Sequence, residues 1–85
     1  MPEISRFHGI TIRMFHREHG PPHLHAEHSE HEITVDIETL TTHGHCPAHV
    51  VRRVHLWTAL HRAESLECWR LADERQEIPR VPPLE

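Results

Sequence analysis

Apolar and polar residues alternate with a period of two in the first half of the chain and recur at helical spacing in the second. In residues 9–16, Ile10, Ile12 and Met14 share one face of a predicted strand, and Thr11, Arg13 and Phe15 share the other. Gly20-Pro21-Pro22 then stops regular structure, because proline lacks a backbone donor and restricts the residue before it. Residues 23–28 predict a second strand, with Leu24 and Ala26 on one face and His23, His25 and Glu27 on the other. After a turn at Ser29-Glu30-His31, residues 32–38 alternate most clearly: Ile33, Val35 and Ile37 point one way, Thr34, Asp36 and Glu38 the other. Leu40 to Thr42 adds a short fourth strand before Gly44.

Helical spacing begins at Pro47, a residue suited to the first helical position. Val50, Val54, Trp57 and His61 make one stripe, widened by Val51 and Leu60. A break is expected between Ala63 and Ser65, with Ser65 as the next N-cap. A second helix then runs to about Arg75, with Leu66, Trp69 and Ala72 or Asp73 on one side. The tail from Ile78 contains Pro79, Pro82 and Pro83, so it is extended, lying on the surface or on a partner.

These elements predict a single α+β domain, an antiparallel three- or four-stranded sheet followed by two helices packed on one face. Its parts are a β meander over 1–45, a helical part over 46–76 and an extended tail over 77–85. With 85 residues, 36% apolar and 5% aromatic, the core is thin, and a homodimer interface would support it. Two cysteines, Cys46 and Cys68, form no CxxC pair and suit a reducing cytoplasm. Neither a signal-peptide apolar region nor a run long enough to span a membrane is visible in the sequence.

Composition changes the picture at one point. Twelve residues are histidine, and six of them fall between His16 and His31. Imidazole changes charge near neutral pH and is the commonest metal ligand. The formal net charge of −4 turns positive if all twelve are protonated. At neutral pH this balance is not that of a strongly basic nucleic-acid binder, although Arg52-Arg53 with Arg62 could form a local RNA-contacting patch.

Residues two apart on a strand project to the same side, so His23, His25 and Glu27 leave the face opposite the apolar residues. Pairing Leu24 with Ile37 keeps the apolar set together and sets His25 opposite Asp36 and Glu27 opposite Thr34. A matching register on the other side places Arg13 beside His25. An imidazole next to a carboxylate has its tautomer fixed, which serves both a general base and a metal ligand. The metal reading takes His19, His23 and His25 as ligands with Glu27 assisting, for zinc, nickel or copper. The spacing matches neither HExxH nor a zinc finger. His43-x-His45-Cys46 is a second, weaker cluster.

Other features have bland explanations. His61 on the apolar stripe reads as a hydrogen-bonded core residue, and Trp57 and Trp69 as core anchors. Cys46 precedes a helix N-terminus, where thiolate is favoured, but equally suits a structural role. With 3 glycines, the chain has no Gly-rich phosphate loop.

Several segments resemble one known family. Pro2 to Phe7, Gly9 to Ile12 and the run from His19 to Ala26 match its opening. Ile37 to Thr39, Gly44 to Pro47, Leu60 to Arg62 with Glu64, Leu66 to Trp69, Ala72 and Pro82 to Glu85 match its later parts. On these residues the chain resembles the small bacterial proteins of the domain of unknown function 4160 family. That pattern carries histidine at the positions of His19, His23, His25 and His61, so the other eight histidines are particular to this chain.

The resemblance implies a toxin-like component of a two-gene toxin–antitoxin module, with a small cognate antitoxin-like protein as partner and RNA as a candidate substrate. In phosphodiester cleavage, His25 would be the base set by Asp36, His23 or His19 the acid, and Arg13 would steady the phosphate. The alternatives are a non-enzymatic zinc, nickel or copper binder, and an interaction module whose partner covers the open sheet face or adds a strand to its edge.

Overall fold

The computed structural model describes residues 2–16 and 18–85. Five strands come first, β1 Glu3–Phe7, β2 Ile10–Arg13, β3 His23–His28, β4 His31–Asp36 and β5 Thr42–His45, followed by α1 Ala48–Leu60 and α2 Arg62–Asp73. The strands pair in chain order, each antiparallel to the next, in one sheet. The α+β class is as the sequence predicts, but the sheet has five strands instead of three or four.

The extra strand is β1. A shift in its register between Glu3 and Ser5 leaves Ile4 and Ser5 both buried, so the period of two is broken in the sequence. The β1–β2 connection is His8-Gly9, both at positive φ (50° and 75°), a backbone twist that fits a two-residue hairpin. The last strand lies at Thr42–His45, not Leu40–Thr42. Leu40 sits in the preceding turn at φ 65°, donating its N–H to the Asp36 carbonyl over 2.8 Å.

The expected β3–β4 register is off by two residues. Leu24 pairs with Val35, which sets His25 opposite Thr34, His23 opposite Asp36 and Glu27 opposite Glu32. A slip of two leaves every side chain on its own face, so alternation cannot detect it. The short Ser29-Glu30 connection, with His28 paired to His31, sets the register instead. The β2–β3 register is as expected, with Arg13 opposite His25.

One sheet face buries Ile4, Phe7, Ile10, Ile12, Met14, Leu24, Ala26, Ile33, Val35 and Ile37. The helices cover it with Val50, Val54, Trp57, Cys68 and Ala72, and Phe7 stacks on Trp57 with ring centroids 5.9 Å apart. Pro47 is the N-cap of α1, one place before the position expected, and its carbonyl accepts from the N–H groups of Val50 and Val51. The helical break falls at His61, earlier than Ala63–Ser65. Ser65 is therefore no cap: it is buried within α2, its N–H donating to the His61 carbonyl. The tail runs along β1, where the Val81 N–H donates to the Ile4 carbonyl at 2.7 Å and Trp57 Nε1 donates to the Pro82 carbonyl at 2.9 Å. Among the described residues, no helix is long and apolar enough to cross a membrane.

Candidate metal centre

The face of the sheet opposite its buried apolar set carries the polar row that the alternation predicts. His23 and His25 leave β3 on this side, and their ring centroids are 5.4 Å apart. Between β2 and β3 the chain crosses this face. Gly20-Pro21-Pro22 turns it back, and the Pro22 carbonyl accepts from the Ile37 N–H at 2.9 Å. The crossing segment brings Glu18 over the two imidazoles. Glu18 Oε1 lies 3.4 Å from His23 Nε2 and 2.9 Å from His25 Nε2. One ligating atom from each of these three residues lies within 4.8 Å of the other two. A tetrahedral ion with bonds of about 2.0–2.1 Å sets its ligand atoms about 3.3–3.4 Å apart, so the donors need only small shifts to enclose one.

The remaining ring nitrogens fix how these imidazoles are presented. His23 Nδ1 lies 2.9 Å from the Pro21 carbonyl, an acceptor only, so Nδ1 carries the proton and the Nε2 lone pair is left for another partner. His25 Nδ1 lies 3.1 Å from Glu32 Oε2, and an ionised carboxylate likewise only accepts. With its proton on Nδ1, His25 directs the Nε2 lone pair at Glu18 Oε1 over 2.9 Å. A metal ion placed between these two atoms would meet both lone pairs. A histidine ligand held from behind by a carboxylate or carbonyl is the usual arrangement at metal sites.

Two aromatic rings flank the pair. Phe15 meets His25 edge-on at 4.5 Å between centroids, and Trp69 of α2 lies 5.0 Å from His23. Trp69 is therefore only partly the core anchor that its spacing suggests: half-buried, it packs against the core and against the site. The imidazoles and the carboxylate nonetheless reach solvent, with side-chain exposures of 17% for His23, 13% for His25 and 29% for Glu18.

Other predicted residues fall elsewhere. His19 is exposed and outside the group of three. Glu27 accepts from Arg13 Nε at 3.2 Å, which occupies both side chains in an ion pair. Asp36 faces His23 across the β3–β4 pair and so does not set His25. His43 and His45 are exposed on β5 and belong to no group of three ligands among the described residues. His61 is half-buried, with Nδ1 2.6 Å from Glu64 Oε1. Burial pushes the thiols of both Cys46 and Cys68 up, the latter to about 11, so neither is an activated nucleophile. Glu18 and Glu32 are the two participants that sequence reasoning missed. Glu18 sits beside the histidine run, in a segment whose path no periodicity reveals. Glu32 opens the predicted strand 32–38, and the expected register, displaced by two residues, keeps it away from His25.

A family model described as Domain of unknown function (DUF4160) matches residues 9–70. The chain belongs to this family. The matched span of this DUF4160 protein includes Glu18, His23, His25 and Glu32, and ends one residue past Trp69. Comparison with curated proteins and with solved structures gives no match.

Proposed function

We propose that this protein binds one divalent transition-metal ion through Glu18 Oε1, His23 Nε2 and His25 Nε2. The observation that carries the reading is the convergence of the three donors, with the Nδ1 atom of each imidazole held by Pro21 or Glu32. Two imidazoles and a carboxylate, without thiolate, suit zinc, nickel, cobalt, copper(II) or iron(II) rather than magnesium or calcium. Three protein donors do not complete a tetrahedral shell, so the ion would keep a position for water or a small ligand, unlike a closed structural zinc site.

General acid–base cleavage of RNA has weaker support from the same geometry. It needs Asp36 beside His25 and a free Arg13. Asp36 instead stands opposite His23 in the register, Arg13 is engaged by Glu27, and the open face carries Glu18, Glu27, Glu32 and Asp36, which oppose a phosphate backbone.

Calorimetry and metal analysis of untagged, chelator-treated protein test the proposal. One equivalent of zinc at micromolar affinity is expected, lost in Glu18→Ala, His23→Ala and His25→Ala and retained in His19→Ala and Glu27→Ala. Absence of micromolar binding, or full binding by His25→Ala, refutes it.

A further inference from the structure

The acidic residues are unevenly spread. From Thr39 to Ala63 the chain carries none of its 13 Asp and Glu residues, but it holds Arg52, Arg53 and Arg62 and five histidines. This stretch includes β5 and all of α1. On α1, the buried positions Val50, Val54, Trp57 and Thr58 face the core. His49, Arg52, Arg53, Leu56 and Leu60 recur at helical spacing on the opposite side, and all are exposed.

Three features set this stripe apart from an ordinary solvated helix face. First, neither Arg52 nor Arg53 has a carboxylate within 4.0 Å among the described residues. By contrast, Arg70 on the exposed face of α2 is bracketed by Glu67 at 2.6 Å and Glu74 at 2.9 Å. Second, the large exposed hydrophobic residues among those described are Leu56, at 54%, and Leu60, at 63%, both on this stripe. Third, His49, Arg52, Arg53, His55 and Leu56 line one shallow depression. Arg62 does not join them, since its Nε donates to the Ile37 carbonyl at 2.9 Å.

We infer that the outer face of α1 docks an acidic amphipathic helix of another protein, its apolar residues on Leu56 and Leu60 and its carboxylates on Arg52 and Arg53. Charge complementarity selects the occupant: unpaired guanidinium groups recognise carboxylates bidentately. The Arg52–Leu56–Leu60 row is a ridge of residues four apart, the relief against which a second helix packs. A nucleic acid is a poorer fit, because phosphate recognition rewards a run of cations and leaves two leucines uncovered in water. A second copy of this chain would bring four arginines together without a counter-charge. The inference is independent of the metal reading, since no donor of that site lies on α1.

The test uses an 18-residue helical peptide with leucine along one face and glutamate elsewhere, a version with lysine replacing glutamate, and a 12-nucleotide single-stranded RNA. Fluorescence anisotropy is measured with metal-free and zinc-loaded protein. The glutamate peptide is expected to bind both forms at least tenfold more tightly than the lysine peptide. Arg52→Glu with Arg53→Glu, or Leu56→Asp alone, should weaken it at least tenfold while circular dichroism stays unchanged; these are surface positions, so folding is not at stake. The proposal is overturned if the glutamate peptide fails to bind, if it binds the variants as well as the parent, if only the RNA binds, or if sedimentation shows a dimer that Leu56→Asp dissociates.

Discussion

Glu18 places one negative charge against the Nε2 atoms of two imidazoles, and Glu32 holds one of those rings from behind. Their loss has different expected consequences. Glu32→Gln keeps all three donors but weakens the orientation of His25, so zinc affinity should fall about 10–100-fold with one-to-one stoichiometry kept. Calorimetry separates this from Glu18→Ala, where the oxygen donor itself is removed and micromolar binding should disappear. A buried thiol provides a second residue-scale check. Burial, reinforced by Glu67 and Glu64, raises the Cys68 thiol from 9.0 to about 11. The folded state then holds this proton more tightly than the unfolded chain does. The associated stability is intact below the ordinary thiol range and fades as pH rises from 9.0 towards about 11. Urea midpoints at about pH 8 and about pH 10.5 should therefore fall further for the parent than for Cys68→Ala. An equal fall in both proteins assigns the alkaline loss to other groups.

At the scale of elements, alternation and helical spacing locate most of the chain's structure because burial on one face imposes them. Ile33, Val35 and Leu24 report their strands plainly. β1 escapes because its bulge buries two neighbours, Ile4 and Ser5. The helix break is expected at Ala63–Ser65 and falls at His61, because the apolar stripe continues through His61, from Trp57 to Leu66. Gly44 is a backbone device of β5, at φ 101°, where an added Cβ would stand 2.7 Å from the Glu32 carbonyl oxygen. Gly44→Ala should destabilise the fold by about 1–3 kcal/mol from strain, with the clash adding to it. In α1, Trp57 is wholly buried, stacks on Phe7 and donates to Pro82. Trp57→Ala should cost about 3–5 kcal/mol, measured by urea denaturation. A loss below about 1 kcal/mol would show that the helix layer tolerates an empty site there.

Across the whole molecule, the tail and the Glu18–His23–His25 cluster tie together segments distant in sequence. Val81 is buried against the core and continues the hydrogen bonding of β1, while Arg80 reaches Glu3 Oε2 at 3.1 Å. Deleting Ile78–Glu85 removes the burial of Val81 and, among others, the Val81–Ile4 and Trp57–Pro82 hydrogen bonds, for an expected loss of about 3–6 kcal/mol. Calorimetric melting should show it as a large fall in Tm, and an unchanged Tm would mean that the tail merely rests on the surface. The proposed ion at Glu18, His23 and His25 would join the β2–β3 crossing to the sheet. At about a hundredfold excess over Kd it should add about 2.7 kcal/mol, or about 10–20 °C in Tm for a domain of this size. Glu18→Ala should abolish that increment and leave the metal-free Tm nearly unchanged. The sequence by itself determined the α+β class, the buried face of the sheet, the inner positions Val50, Val54 and Trp57 of α1 and the side from which His23 and His25 project, but not the outward turn of Leu60, expected on the same stripe and 63% exposed. Each follows from periodicity, which records whether a side chain meets core or water. Only the tertiary structure decided which acids meet those imidazoles. A slip of two residues and the path of the Glu18 segment leave every hydrophobic position where it was, so the chain's pattern carries no trace of either.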